Sequence, residues 1–392
     1  MRQTTQLEAK VRRWIEAGVI DAHTGGRILQ FEAGRERGAE LRWPVLLAMV
    51  FGGILLAAGI TLFVAAHWEE MSPSQRFSVV LLMVGVLHAC GAVLTERFPV
   101  LSTTLHAVGT ASLGAAIFLT AQIFNLHENW ATGILLWAIG AALGYALLRD
   151  WPQAAFLALL APAWLISEWD ILTEWHSGSQ RPLMVGLIAL ALSYLSARIG
   201  DQENRARRTL VWVGGIALLP CVGVGIALAM IEASTLRYSQ RDPISFGTSL
   251  IGWGVALLAP LALAFLLRGR AAGINLLWTA WTYALLATAG RSHSYNGYRD
   301  DRNLLATVGL YALCAAGAVG LVAWGLYEKR KERVNLGVAG FAIAVLFFYF
   351  DSFMGKLGRS ASLLMLGVLC LVLGYVLEIT RRRLMARMEL SP

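Results

Sequence analysis

A dozen apolar stretches, each close to the length a helix needs to cross a bilayer, succeed one another through most of this 392-residue chain. They fall at about 44–66, 77–95, 99–121, 130–148, 152–168, 182–199, 209–231, 247–267, 271–290, 304–326, 335–351 and 360–379. A helix of ~20 residues spans ~30 Å of hydrocarbon, and backbone crossing lipid must satisfy its own hydrogen bonds. Charged residues are only 15% of the chain, against about 25% in soluble domains. So little charge cannot solvate a water-facing surface of this size. The expected fold is an all-α polytopic transmembrane bundle of about twelve spans, with the lipid bilayer as its first partner.

Lysine and arginine gather in every second gap. With twelve spans and the N-terminus inside, 24 of the 33 basic residues fall on the inner side, among them Arg205, Arg207, Arg208, Arg268, Arg270, Arg330 and Arg333. That bias predicts cytoplasmic N- and C-termini in a bacterial inner membrane. Losing or adding one span scrambles the alternation, which favours twelve. The same clustering accounts for the +8 formal charge without a nucleic-acid partner. Cys90, Cys221, Cys314 and Cys370 all lie inside apolar segments with no CxxC spacing, so neither a disulfide framework nor a zinc site is implied.

Residues 1–42 are polar and read as a cytoplasmic helical hairpin ahead of a bundle at 43–380 and a basic tail at 381–392. Leu7, Val11, Trp14 and Ile15 recur at helical spacing, Gly18 ends that helix, and Asp21 caps a second one carrying Ile28 and Leu29. So short a segment buries little surface alone and is expected to dock on the bundle or on a protein partner. Pro162, Pro220 and Pro260 fall inside spans, where each removes a backbone hydrogen bond and bends the helix. Trp43, Trp68, Trp130, Trp151, Trp169 and Trp175 stand at span ends, as an interfacial belt requires. Gly140 and Gly144 form a GxxxG suited to close helix packing.

No Asp, Glu, Lys or Arg stands near the middle of a predicted span; Asp351 and Glu378 sit at ends. Ion-coupled transporters generally need such a group. The nearest thing to an intramembrane site is His88 with His106. They lie on consecutive antiparallel spans, each about seven residues from the joining turn, hence at matching depth. They are placed to share a hydrogen bond or a proton, but two ligands alone make a poor metal site.

A second polar group collects at the outer ends of the spans. Glu69 and Glu70 follow the first; Gln122, Asn125, His127 and Glu128 close the third; Glu168, Asp170, Glu174 and His176 read as the loop after the fifth. Carboxylates and histidines there could hold a divalent cation or act as acid and base, though nothing in the sequence brings them together. Tyr295 and Tyr298 flank an Asn-Gly turn between spans. HExxH, GxSxG, P-loop and dinucleotide motifs are missing, so no cofactor is implied.

Several stretches resemble a bacterial family of multi-span membrane proteins, domain of unknown function 2157. Arg13-Trp14-Ile15-Glu16-Ala17-Gly18-Val19-Ile20-Asp21 is similar to that family's short helical opening. Phe63-Val64-Ala65-Ala66-His67-Trp68-Glu69-Glu70-Met71-Ser72 looks like its first apolar run closing on Trp and Ser, with His67 where Asn is expected. Ala121-Gln122-Ile123-Phe124-Asn125 also fits. The likeness is best over the first ~130 residues; it implies membrane placement and carries no catalytic residue across.

Three function classes follow. The first is a transport- or flippase-type component with a cavity lined by Gln122, Asn125 or the histidine pair. The second is a structural or regulatory scaffold that binds a partner through residues 1–42. The third is a membrane enzyme with an outer-surface site on an envelope or lipid-linked substrate, which requires Glu70, His127, Asp170 and His176 to converge.

Overall fold

The computed structural model describes residues 11 and 13–30, scattered positions between 47 and 66, and residues 71–124, 130–174, 179–198, 204–238, 244–292, 301–352 and 359–390. Among them there is no strand. Eleven long helices follow residue 72: α1 Pro73–Leu94, α2 Pro99–Ile123, α3 Trp130–Leu148, α4 Trp151–Thr173, α5 Gln180–Leu195, α6 Arg205–Tyr238, α7 Phe246–Arg268, α8 Gly273–Ser292, α9 Asp301–Tyr327, α10 Lys331–Ser352 and α11 Arg359–Leu390. Each predicted span from 77–95 to 360–379 falls on one of them. The span predicted at 44–66 lies largely outside the described residues. Among the described residues, nine stretches are long and apolar enough to cross a membrane, with α7 and α8 forming one continuous stretch and α5 falling short at 16 residues.

The chain divides into two compact units, Met1–Glu128 and Asn129–Pro392. In the first unit, residues 13–16 and 22–30 are helical. Gly18 turns the chain with φ +68°, and the Asp21 carboxylate accepts from the Thr24 backbone N–H. A Cβ added at Gly25 would stand 2.7 Å from Ile15 and 3.2 Å from Val11, so these two stretches pack on each other. Ser72 and Gln75 close a capping box on α1, with Pro73 at the first helical position. α1 and α2 form an antiparallel hairpin, pinned at its turn by the Thr95 and Ser102 hydroxyls 3.1 Å apart.

The second unit is built around α5. Ten of its 16 residues are buried, including Val185, Ile188 and Leu192; a helix apolar all round belongs in an interior. α6, α7 and α8 pack against it, and the Tyr194 hydroxyl donates to the Ala158 carbonyl of α4. Close approaches rest on glycine: a Cβ at Gly186 would lie 3.1 Å from the Ala256 Cα, and one at Gly214 2.7 Å from the Leu195 nitrogen. α9 and α10 form a tight hairpin through Glu328–Arg330, where Lys329 takes φ +54°. α11 packs on α10, where the Tyr349 hydroxyl donates to the Ser362 carbonyl.

Several expectations need correction. α4 continues to Thr173, so Glu168 and Asp170 stand on its last turns rather than in a loop. Trp164 Nε1 donates to Glu168, giving that carboxylate a partner within the helix. α6 runs on to Tyr238, which brings Glu232 inside it; its buried carboxylate meets Arg181 at 3.0 Å. Trp169 serves the interior as well as any interface, because its ring lies over Gly252 and its Nε1 donates to the Ser179 carbonyl. Arg381, Arg382 and Arg383 continue α11, which runs on to Leu390. Pro162, Pro220 and Pro260 do fall inside helices, and the four cysteines are free.

Candidate functional site

In the first unit the two histidines meet. His88 Nδ1 and His106 Nδ1 are 3.0 Å apart, with ring centroids 5.3 Å apart. Each ring occupies a notch left by glycine on the opposite helix. A Cβ at Gly109 would stand 2.8 Å from His88 Nε2, and one at Gly91 2.9 Å from His106 Nε2. Both notches are three residues beyond the histidine of their own helix, so the two halves are equivalent by an approximate local two-fold. One nitrogen donates and the other accepts, so the pair suits neutral imidazoles or one shared proton. Among the described residues no group of three or more His, Cys, Asp or Glu could hold a metal ion.

The outer polar group is only partly described. Glu69, Glu70, Asn125, His127, Glu128 and His176 lie outside the described residues, as do Tyr295 and Tyr298. Gln122 is exposed at the end of α2, and Glu174 is exposed at the C-cap of α4 with φ 45°. Glu168 and Asp170 are half-buried. None of these lines the large cavity of the second unit.

That cavity has a volume of about 980 Å³, at the top of the ~300–1,000 Å³ usual for small-molecule sites. It lies among α5, α6, α8, α9 and α10 and includes Pro220 of the bent α6. Small residues line it, notably Gly223, Ala318, Gly340 and Ala344, and Gly317 leaves the place of its side chain to the Trp281 ring. Along α9 it extends from Thr307 to Leu321, about 21 Å at 1.5 Å per residue, or roughly two-thirds of a hydrocarbon core. One end is polar, with Thr307 and Tyr311 on α9 and Asp351 and Ser352 on α10. Toward the other end it is lined by Trp278, whose ring leans on Trp324 at 5.8 Å and on Trp281 at 5.4 Å.

Behind Trp324 lies a buried ion cluster that the sequence did not reveal. Glu328 holds Arg268 and Arg333 at 2.6 Å each, and Trp324 Nε1 donates to the same carboxylate at 2.7 Å. Arg333 also donates to the Leu195 carbonyl and Arg268 to the Ser196 carbonyl, tying α7, α9 and α10 to the end of α5. Both arginine side chains are almost wholly buried, at 3% and 1% exposure. Burial pushes the Glu328 carboxyl up, but hydrogen bonds from Arg268 and Arg333 outweigh it and hold the group below its ordinary value. Arg268 and Arg333 had counted only as solvated orientation charges. The Trp324–Glu328 spacing of one helical turn was the one available signal.

Residues 12–154 match a family model described as "Predicted membrane protein (DUF2157)". The resemblance drawn from Arg13–Asp21, Phe63–Ser72 and Ala121–Asn125 is therefore borne out over that stretch, and every residue lining the cavity lies beyond it. No curated protein and no solved structure matches the chain.

Proposed function

We propose, from the premise of a multi-span membrane protein, that the second unit is the substrate-handling part of a transport- or flippase-type component for a lipid-like solute. The observation that carries this reading is the cavity of about 980 Å³, apolar along most of its length and polar at one end. A solute with a hydrocarbon portion matches that profile. By the positive-inside bias the arginine-rich end belongs to the cytoplasmic side, and the polar mouth then faces the outer side. Reporter fusions after residues 200–208 and within 293–300 test this orientation; signals from the same compartment overturn it.

The site we expect for the transport class is thus relocated. Gln122 and the histidine pair belong to the first unit, and the lining comes from α5, α6, α8, α9 and α10. Ala344→Trp places an indole in the cavity, since Ala344 lines it. The test is mass spectrometry of lipid extracted from wild-type and Ala344→Trp protein purified in the same mild detergent. A lipid retained by wild type and depleted in the variant supports the reading. Identical lipid content in both defeats it.

A further inference from the structure

The polar mouth of the cavity has a definite chemical bias. Among the described residues that line the cavity, Asp351 is the one charged side chain. It is exposed and stands in the last turn of α10, where the helix dipole is negative and repels a carboxylate. No basic residue shares that turn, and among the described residues no cation pairs with Asp351. An exposed carboxylate so placed is open to a cation that enters the mouth.

The neighbours narrow the kind of cation. Phe347 precedes Asp351 by one turn of α10, and Thr307 precedes Tyr311 by one turn of α9, so each pair shares a helix face. All four line the mouth, and Phe348 meets Tyr311 edge-on at 5.2 Å. The Tyr311 hydroxyl lies within electrostatic reach of Asp351. Aromatic rings beside a carboxylate recognise ammonium groups, through ring quadrupole and charge together. Metal recognition would call for more carboxylates than this one.

We propose that this mouth binds the ammonium group of an amphiphile whose hydrocarbon portion fills the cavity. The inference rests on the lipid-like-solute reading above and adds the headgroup. Two sources share that chemistry, an amine-headed membrane phospholipid and a single-chain alkylammonium compound.

The experiment is native mass spectrometry of the full chain in maltoside detergent. It is titrated with dodecyltrimethylammonium, dioleoylphosphatidylethanolamine, dioleoylglycerol and dioleoylphosphatidylglycerol. We expect at least one ammonium probe to bind about fivefold more tightly than the glycerol and phosphatidylglycerol lipids, the scale of one partly exposed ion pair with a cation–π contact. Preference for dodecyltrimethylammonium alone identifies the single-chain source; preference for phosphatidylethanolamine identifies the membrane lipid. Asp351→Asn should erase the preference while leaving dioleoylglycerol binding unchanged, and Asp351→Glu should keep it. A preference that survives Asp351→Asn, or no preference in the wild type, overturns the headgroup assignment. If Ala344→Trp still weakens all probes in that case, the cavity reading stands. If no probe responds to Ala344→Trp, the cavity reading falls too.

Discussion

The guanidinium carbon of Arg333 lies 3.9 Å from the centre of the Trp324 ring, and the same guanidinium holds Glu328 at 2.6 Å. One side chain therefore joins Trp324, which backs the cavity-lining Trp278, to the buried ion cluster. Arg268 approaches Trp324 from 5.5 Å and completes the set. Through the Leu195 and Ser196 carbonyls the cluster also ends α5.

Removing the central anion should be costly. Glu328→Gln strands two buried guanidinium groups, and breaking a buried pair from one side typically costs about 3–5 kcal/mol. Thermal unfolding in detergent should show that loss. Replacing all three members by apolar residues (Arg268→Met, Glu328→Leu, Arg333→Met) should cost far less than the single change, because no charge is then left unpaired. A triple variant weaker than Glu328→Gln would show that the cluster contributes more than mutual compensation.

Acid should act on the same carboxylate. A group held below its ordinary value of 4.5 in the folded protein stabilises that state while ionised. Its contribution is present at neutral pH and above 4.5, and it is lost as pH falls through the depressed folded value. Melting temperatures between pH 7 and pH 3.5 should therefore drop more steeply below 4.5 for wild type than for Glu328→Gln. Parallel curves would place the acid sensitivity elsewhere.

The histidine pair makes a steric prediction. Gly109→Ala would push a methyl to 2.8 Å from His88 Nε2, and Gly91→Ala to 2.9 Å from His106 Nε2. Each should destabilise by about 1–3 kcal/mol as the rings are driven apart. Gly85 on the same α1 has nothing within 4 Å of its added Cβ. Gly85→Ala should thus be neutral or gain up to about 1 kcal/mol from helix propensity. Equal melting shifts for Gly85→Ala and Gly109→Ala would contradict the reciprocal notches.

What the sequence revealed and what it hid divide along a physical line. Helix placement is local: apolar run length located α1 through α11, and a four-residue turn was short enough for counting to put His88 and His106 at one depth. Helix ends were harder. Hydropathy stops at Glu168 and Ile231, whereas Trp164 and Arg181 let α4 and α6 carry a carboxylate further. Partnerships between distant segments were invisible. Arg268 and Glu328 are 60 residues apart, and a single sequence does not show that they meet. The cavity was hidden for a related reason, since Gly223 and Ala344 line a void only when helix rotation turns both toward the same space.

Two glycines one turn apart on α10 offer the sharpest test of how closely that helix approaches α9. A Cβ at Gly337 would stand 2.6 Å from the Ala318 carbonyl oxygen and 2.9 Å from the Val322 nitrogen, both backbone atoms that cannot yield without moving the helix. A Cβ at Gly340 would meet only side chains, Leu219 at 3.3 Å and Ala318 at 3.8 Å. Gly337→Ala should therefore cost about 3 kcal/mol or more, as overpacking against backbone does at its upper end. Gly340→Ala should stay near neutral, its small crowding offset by the roughly 1 kcal/mol that alanine gains over glycine in a helix. Melting both variants in the same detergent checks the contrast. Indistinguishable midpoints would mean that the two backbones stand further apart than the Ala318 carbonyl requires.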